Sequence, residues 1–193
     1  MANFATKVFK YRSYTPIPFI ILMLVFQKAT PLSLAIGFVM ALIGAFFRFW
    51  GISYAGSETR TTGAVGGSYL IISGAFAFVR NPLYLGNLFM YVGIGVMSMA
   101  LFPYLHIVAF LFFYWQYRTI IAEEESYLLK TFGKQFEDYK AAVPRFIPRF
   151  TPYKNAEVEQ PPLNLKGAVR SETRTWQAFS SVIVLLLIIY LVV

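Results

Sequence analysis

The chain has 193 residues, 58% hydrophobic and 19% aromatic but only 13% charged, with a net charge of +8. A soluble domain carries about 25% charged residues, and one of this length has too little interior to bury so much apolar surface. The composition excludes an ordinary soluble domain and a disordered chain, and it predicts an all-α, polytopic membrane protein. Cysteine is absent, which removes disulfides, thiolate nucleophiles and zinc–cysteine sites. A single histidine, His106, leaves no histidine-rich metal site, so no metal is expected.

In chain order, the first apolar stretch is Pro16–Gln27, with Phe19–Phe26 its most apolar part. It is short for a span and is expected to pair with the next stretch as a hairpin through Lys28–Pro31. Leu32–Phe47 carries no charge and runs to about Ile52. Ser53–Pro82 is rich in glycine, serine and threonine. Within it, Leu70–Val79 is too short to span and reads as a re-entrant or interfacial piece leading into Arg80. Tyr84–Phe102 and Tyr104–Ile121 follow, separated by a turn at Pro103. Glu123, Glu124 and Glu125 stand where the last of these leaves the apolar zone. Beyond them Tyr127, Leu128, Phe132, Phe136, Tyr139 and Val143 recur at helical spacing, which predicts an amphipathic helix or helix pair broken at Gly133 and ended by Pro144 and Pro148. Tyr153–Gly167 has the composition of a linker, and Trp176–Val193 is a closing apolar run. Ser-Glu-Thr-Arg-Thr occurs twice, at Ser57–Thr61 and Ser171–Thr175, without matching flanks.

A spanning helix needs about 20 residues, so about five transmembrane helices are expected. They divide one membrane domain into an N-terminal hairpin (1–52), a core (53–150), a linker (151–175) and a C-terminal helix (176–193). With the N-terminus inside, the outside loops hold only Lys28 among the lysines and arginines, and all nine acidic residues also fall inside. This is the bias of the positive-inside rule. It accounts for the positive charge without nucleic acid. A prokaryotic inner membrane is expected, with the active site cytoplasmic and the C-terminus outside. Membrane lipids are the expected surroundings, and a homo-oligomer is compatible with the sequence.

The polar chemistry therefore gathers on the inner face. In Arg80-Asn81-Pro82-Leu83-Tyr84-Leu85-Gly86-Asn87, proline forces Asn81 out of helical geometry and opens the next helix. The freed N–H groups of that helix start, with Arg80, suit an anion; the plainer alternative is an interfacial arginine before a helix. Gly86 admits a ligand or another helix. Successive residues on a helix point about 100° apart, so Glu123, Glu124 and Glu125 divide between pocket and water. Val143-Pro144-Arg145-Phe146-Ile147-Pro148-Arg149 is a stiff segment whose arginines suit either a ligand or lipid headgroups. Gly93 and Gly95 read as helix-packing positions.

The order of these motifs resembles that of integral-membrane methyltransferases, the isoprenylcysteine carboxyl methyltransferase and phospholipid N-methyltransferase relatives. Ser73-Gly74 and Arg80–Asn87 match the first signature; Glu124-Glu125, Leu128, Phe132-Gly133, Tyr139, Val143-Pro144-Arg145 and Pro148 match the C-terminal block. The resemblance covers about Leu32 to Phe150. Asn81 stands where many carboxyl methyltransferases have histidine, Phe136 where tyrosine is common, Gly44 is what is left of a glycine pair, and Trp176–Val193 is additional.

The resemblance implies S-adenosylmethionine as methyl donor, in a cytoplasmic pocket formed by the C-terminal helices and loops, and a lipidic acceptor. It implies that Gly74, Tyr84, Gly86, Asn87, Glu124 and Tyr139 bind the cofactor, and that Arg80, Asn81, Glu125 and Arg145 are catalytic. The arginines would hold a carboxylate of cofactor or acceptor, and Glu125 would serve as base if the acceptor is an amine. Carboxylate O-methylation and amine N-methylation both stay open. So do an NADPH-dependent enzyme similar to sterol reductases and a non-catalytic lipid-binding protein.

Overall fold

The computed structural model describes residues 2–56 and 69–192. The segment 57–68, which holds Arg60 and the first Ser-Glu-Thr-Arg-Thr run, lies outside the described residues. Seven α-helices are described: α1 (Ala2–Tyr11), α2 (Pro16–Val25), α3 (Pro31–Ala55), α4 (Pro82–Ser98), α5 (Tyr104–Phe132), α6 (Lys134–Ala142) and α7 (Leu165–Val192). A 3-10 turn at Gly74–Ala77 lies between α3 and α4, and no strand occurs among the described residues. The protein is all-helical and polytopic.

Among the described residues three helices are long and apolar enough to cross a membrane unaided: α3 with 25 residues, α5 with 29 and α7 with 28. At 1.5 Å per residue they reach about 38–44 Å, beyond a hydrocarbon core of about 30 Å. With its 17 residues, α4 sits at the lower limit for a span, and α2 with 10 falls short as a helix. Its flanks extend it. Arg12 and Pro16 share a cavity wall with Asn81 at one end of α4, and the Lys28 N–H donates to Ser98 O at the other.

Helix starts follow the local chemistry. Thr30 and Ser33 form a capping box before α3, with Pro31 in the first turn. Such a cap satisfies N–H groups that a helix start leaves orphaned, worth about 1 kcal/mol. Pro82 opens α4, as its sequence predicts. Asn81 does not cap that helix: its side-chain amide donates to Arg145 O at 3.2 Å. Gly133 has φ +49° and turns the chain from α5 into α6. The last helix begins at Leu165, well before the apolar run at Trp176 and inside the stretch read from sequence as a linker.

The tightest seam in the bundle joins α3 and α4. A Cβ placed on Gly44 would lie 2.5 Å from Gly86 O, and one on Gly86 would lie 2.6 Å from Gly44 O. Gly37 and Gly93 make a second such pair. Small residues let backbones touch, which is how helices gain packing where lipid removes a hydrophobic drive.

Three apolar clusters stack along the molecule. Met23, Ile94, Met97, Leu105 and Leu186 fill the Ser98 end. Phe9, Leu88, Phe113, Tyr117, Ile120 and Ile121 fill the middle. The third, with Leu70, Ile72, Phe136, Tyr139, Val143 and Val158, closes the polar end. Outward faces are apolar too, as at Ile36, Val39, Leu111, Leu185 and Ile188, in keeping with lipid around the bundle.

Candidate functional site

The segment Leu70–Val79, expected from sequence to be a re-entrant or interfacial piece, is locked against the chain that follows α6. Arg80 N–H donates to Pro144 O, Arg149 N–H to Phe78 O and Tyr153 N–H to Ala77 O, each at 2.9 Å. The Gln160 side chain completes the lock. Its Oε1 accepts from Ile72 N–H and Ser73 N–H, and its amide donates to Leu70 O. The proline-rich Val143–Arg149 stretch bends between two anchors, Pro144 O and Arg149 N–H, that tie it to the loop before α4. Pro144 and Pro148 lack N–H donors, and the ladder uses Arg80, Arg149 and Tyr153 instead.

Arginine clamps tie this layer to α5. Arg80 Nη1 donates to Lys140 O and Val143 O at 2.6 and 2.7 Å. Its Nη2 lies 3.2 Å from Glu125, and both side chains are 10% exposed. Arg145 grips the same carboxylate with Nε, at 3.1 Å, and Nη2. Glu125 is thus shared by two guanidiniums. One residue back, about 100° around the helix, Glu124 accepts a 2.7 Å hydrogen bond from Tyr84 OH, and Glu123 accepts from Thr6. The three consecutive carboxylates have three different surroundings, as their 100° offsets require. Tyr139 OH donates to Phe76 O at 2.9 Å. Burial pushes its phenol well above the ordinary tyrosine range, so it stays a donor.

A cavity of about 1200 Å³ opens beside these groups. Its wall carries Arg80, Asn81, Tyr84, Asn87, Glu124, Glu125 and Tyr139 from the expected set, and it omits Gly74, Gly86 and Arg145. The reasons are physical. Gly86 faces α3, where its missing Cβ makes room for Gly44 O and Arg48 Cγ. Gly74 has φ +59° and lies under the Tyr54 ring. Arg145 stands behind Glu125. Gly74 and Gly86 shape the framework, and Arg145 holds a carboxylate.

Arg12 and Arg48, also on the wall, escaped the sequence-based reading. Arg12 covers the Phe9 ring, its guanidinium carbon 3.7 Å from the ring centroid. Arg48, on α3, makes a two-pronged pair with Glu172 of α7 through Nε at 2.8 Å and Nη2 at 2.7 Å. Its Nη1 donates to Asn87 Oδ1 at 2.8 Å. A lone arginine in an otherwise uncharged apolar run is a signal that would have found Arg48. The cavity continues from the polar end into an apolar wall of Ile17 and Ile20 from α2 and Ala178, Phe179 and Val182 from α7. Among the described residues no group of three or more His, Asp or Glu side chains is placed to hold a metal ion.

The profile of a family described as phospholipid methyltransferase matches residues 32–135, which include nearly all of α3, all of α4, and Arg80 and Glu125 of the clamp but not Arg145. The chain is 29% identical over 125 residues to the cobalt-zinc-cadmium resistance protein CzcN of Cupriavidus metallidurans, covering 65% of this chain and 53% of that protein. It is 30% identical over 127 residues to the protein-S-isoprenylcysteine O-methyltransferase of Saccharomyces cerevisiae, covering 64% and 52%. The mouse enzyme of that name is 35% identical over 79 residues, covering 41% and 27%. The chain spans about half the length of the first two relatives or less than that of the third, and no solved structure matches it. Taken with the carboxylates, arginines and tyrosines gathered on one cavity wall, the match over more than half of its length makes this chain a member of the phospholipid methyltransferase family.

Proposed function

We propose that the protein transfers a methyl group from S-adenosylmethionine to a lipidic acceptor, a carboxylate or an amine, at the cytoplasmic face of its membrane. One observation carries the reading: a single cavity has carboxylates, amides, arginines and phenols at one end and, beyond Arg174 and Thr175, an apolar wall of α2 and α7 side chains at the other. Ligand pockets are usually about 300–1000 Å³, so a volume of about 1200 Å³ suits a polar donor and the head of a lipid together.

The residues present fit the donor. Glu124 supplies a carboxylate already oriented by Tyr84, suited to hydroxyl or ammonium groups. Tyr84 and Tyr117, with centroids 4.9 Å apart, offer aromatic faces that attract a cation, worth roughly 0.5–2 kcal/mol when desolvated. When bound, S-adenosylmethionine supplies an electrophilic methyl carbon on a sulfonium, open to in-line displacement. The chain's work is then alignment and exclusion of water. The Glu125 carboxylate is already taken up by two guanidiniums, so we assign it and Arg145 to orientation of the pocket. Glu124 is the better-placed base for an amine; a carboxylate acceptor needs none.

Calorimetry with S-adenosylhomocysteine on detergent-purified protein tests the donor assignment. Micromolar binding is expected, weakened about tenfold or more by Glu124→Gln because a charge-assisted bond is lost. A folded wild-type protein that does not bind would sink the reading. Binding of NADPH in its place would favour the reductase alternative.

A further inference from the structure

The additional C-terminal helix is more than an anchor. We infer that α7 is part of the donor site: Glu172 fixes Arg48, and Arg48 in turn sets the amide of Asn87 so that its NH₂ faces the cavity. Glu172 and Arg48 are positioning residues for Asn87. The inference rests on the donor reading given above.

The chemistry of the groups leaves little freedom. A guanidinium has only donors. Arg48 therefore selects the oxygen of Asn87, and the amide nitrogen must point the other way. Asn87 and Arg48 both line the cavity; one N–H of that nitrogen is directed at the Tyr117 hydroxyl, and the other is left for an acceptor in the cavity, such as a carboxylate or a ring nitrogen. Without Glu172 the Arg48 guanidinium would be free to turn. The two-pronged contact removes that freedom. Glu172 is 0% exposed and Arg48 12%, so water screens the pair only weakly.

The placement of α7 supports the same conclusion. It packs on α3 through this ion pair and through Phe49 against Trp176, with centroids 5.8 Å apart. From there Ala178, Phe179 and Val182 continue along the cavity wall. The matched family region ends at residue 135, so this wall and its glutamate come from a part of the chain outside it. Glu172 belongs to the second Ser-Glu-Thr-Arg-Thr run, which composition alone assigns to a linker.

The test separates a positioning role from a brace. Glu172→Gln, Arg48→Met with Glu172→Leu, Asn87→Ala, and Asn87→Ala with Glu172→Gln are compared with wild type. S-adenosylhomocysteine affinity is read by calorimetry and thermal midpoint without ligand by intrinsic fluorescence. Glu172→Gln is expected to weaken binding about tenfold or more, as loss of an orienting partner commonly does. Apolar isosteres of a buried pair often restore stability, so the Met/Leu variant is expected to recover the midpoint and leave the affinity low. With Asn87→Ala already in place, Glu172→Gln should change affinity little further. Recovery of both midpoint and affinity in the Met/Leu variant would overturn the inference and leave a brace; so would wild-type affinity in Glu172→Gln. If wild type itself does not bind, the donor reading fails separately. The relay then stands or falls on the midpoints, where additive effects of Asn87→Ala and Glu172→Gln would overturn it.

Discussion

Glu123, Glu124 and Glu125 are identical in chemistry and differ only in helical angle, and that difference assigns their roles. One meets Thr6, one Tyr84, and one two arginines. Tyr139 shows a similar dependence on position. Its phenol is buried and bonded to Phe76 O, so Tyr139→Phe should cost about 1 kcal/mol at neutral pH. Because burial raises the folded pKa above the unfolded one, the stabilising contribution is complete below about pH 10 and shrinks as pH rises beyond it. Thermal midpoints measured against pH should therefore fall faster above that point for wild type than for the phenylalanine variant; parallel curves would refute this. The sequence made Glu124, Tyr84 and Asn87 legible because they sit in ordered motifs. It hid Arg48 and Glu172 because their meaning is in a contact between residues 124 positions apart.

At the scale of elements, the glycines of α3 and α4 hold the bundle together. Gly86→Ala sets a methyl 2.6 Å from both Arg48 Cγ and Gly44 O. Overpacking of this kind costs about 1–3 kcal/mol, and the thermal midpoint should drop by several degrees. Gly95→Ala meets only side chains, the nearest being His106 Cδ2 at 3.3 Å, and should cost less than about 1 kcal/mol. Equal losses would show that backbone contact does not define the seam. Helix positions were readable from apolar runs and from Pro31, Pro82 and Gly133. The start of α7 was not, because residues 165–175 are polar and their helix is held by the buried pair with α3 and by the cap at Asn164, whose Oδ1 accepts from Gly167 N–H. The pairing of Leu70–Arg80 with Pro144–Tyr153 was equally unreadable, since irregular backbone leaves no periodicity.

At the scale of the whole molecule, the charge asymmetry makes an orientation prediction that the absence of cysteine renders simple to check. A single cysteine at Lys28 should react with a membrane-impermeant maleimide applied from outside intact cells. One at Lys130 or Lys154 should react only after permeabilisation. The reverse pattern would invert the topology and with it the access of a cytoplasmic donor to the cavity. The number and order of apolar stretches were legible throughout, as was the gathering of polar chemistry at one end. The joining of that end to an apolar wall was not, because it depends on where α2 and α7 lie in space.

The paired glycines also limit how this chain can change length. Gly37 and Gly44 on one helix answer Gly93 and Gly86 on the other, so the same seven-residue interval is measured twice, in opposite directions. One residue inserted inside either interval would swing one contact about 100° around its helix while the other stayed in place. Insertions should therefore be absorbed in the exposed turn at residues 101–103 and rejected between the glycines. An insertion scan scored by the yield of folded protein should draw that boundary residue by residue, as if the two helices were the facing scales of a vernier.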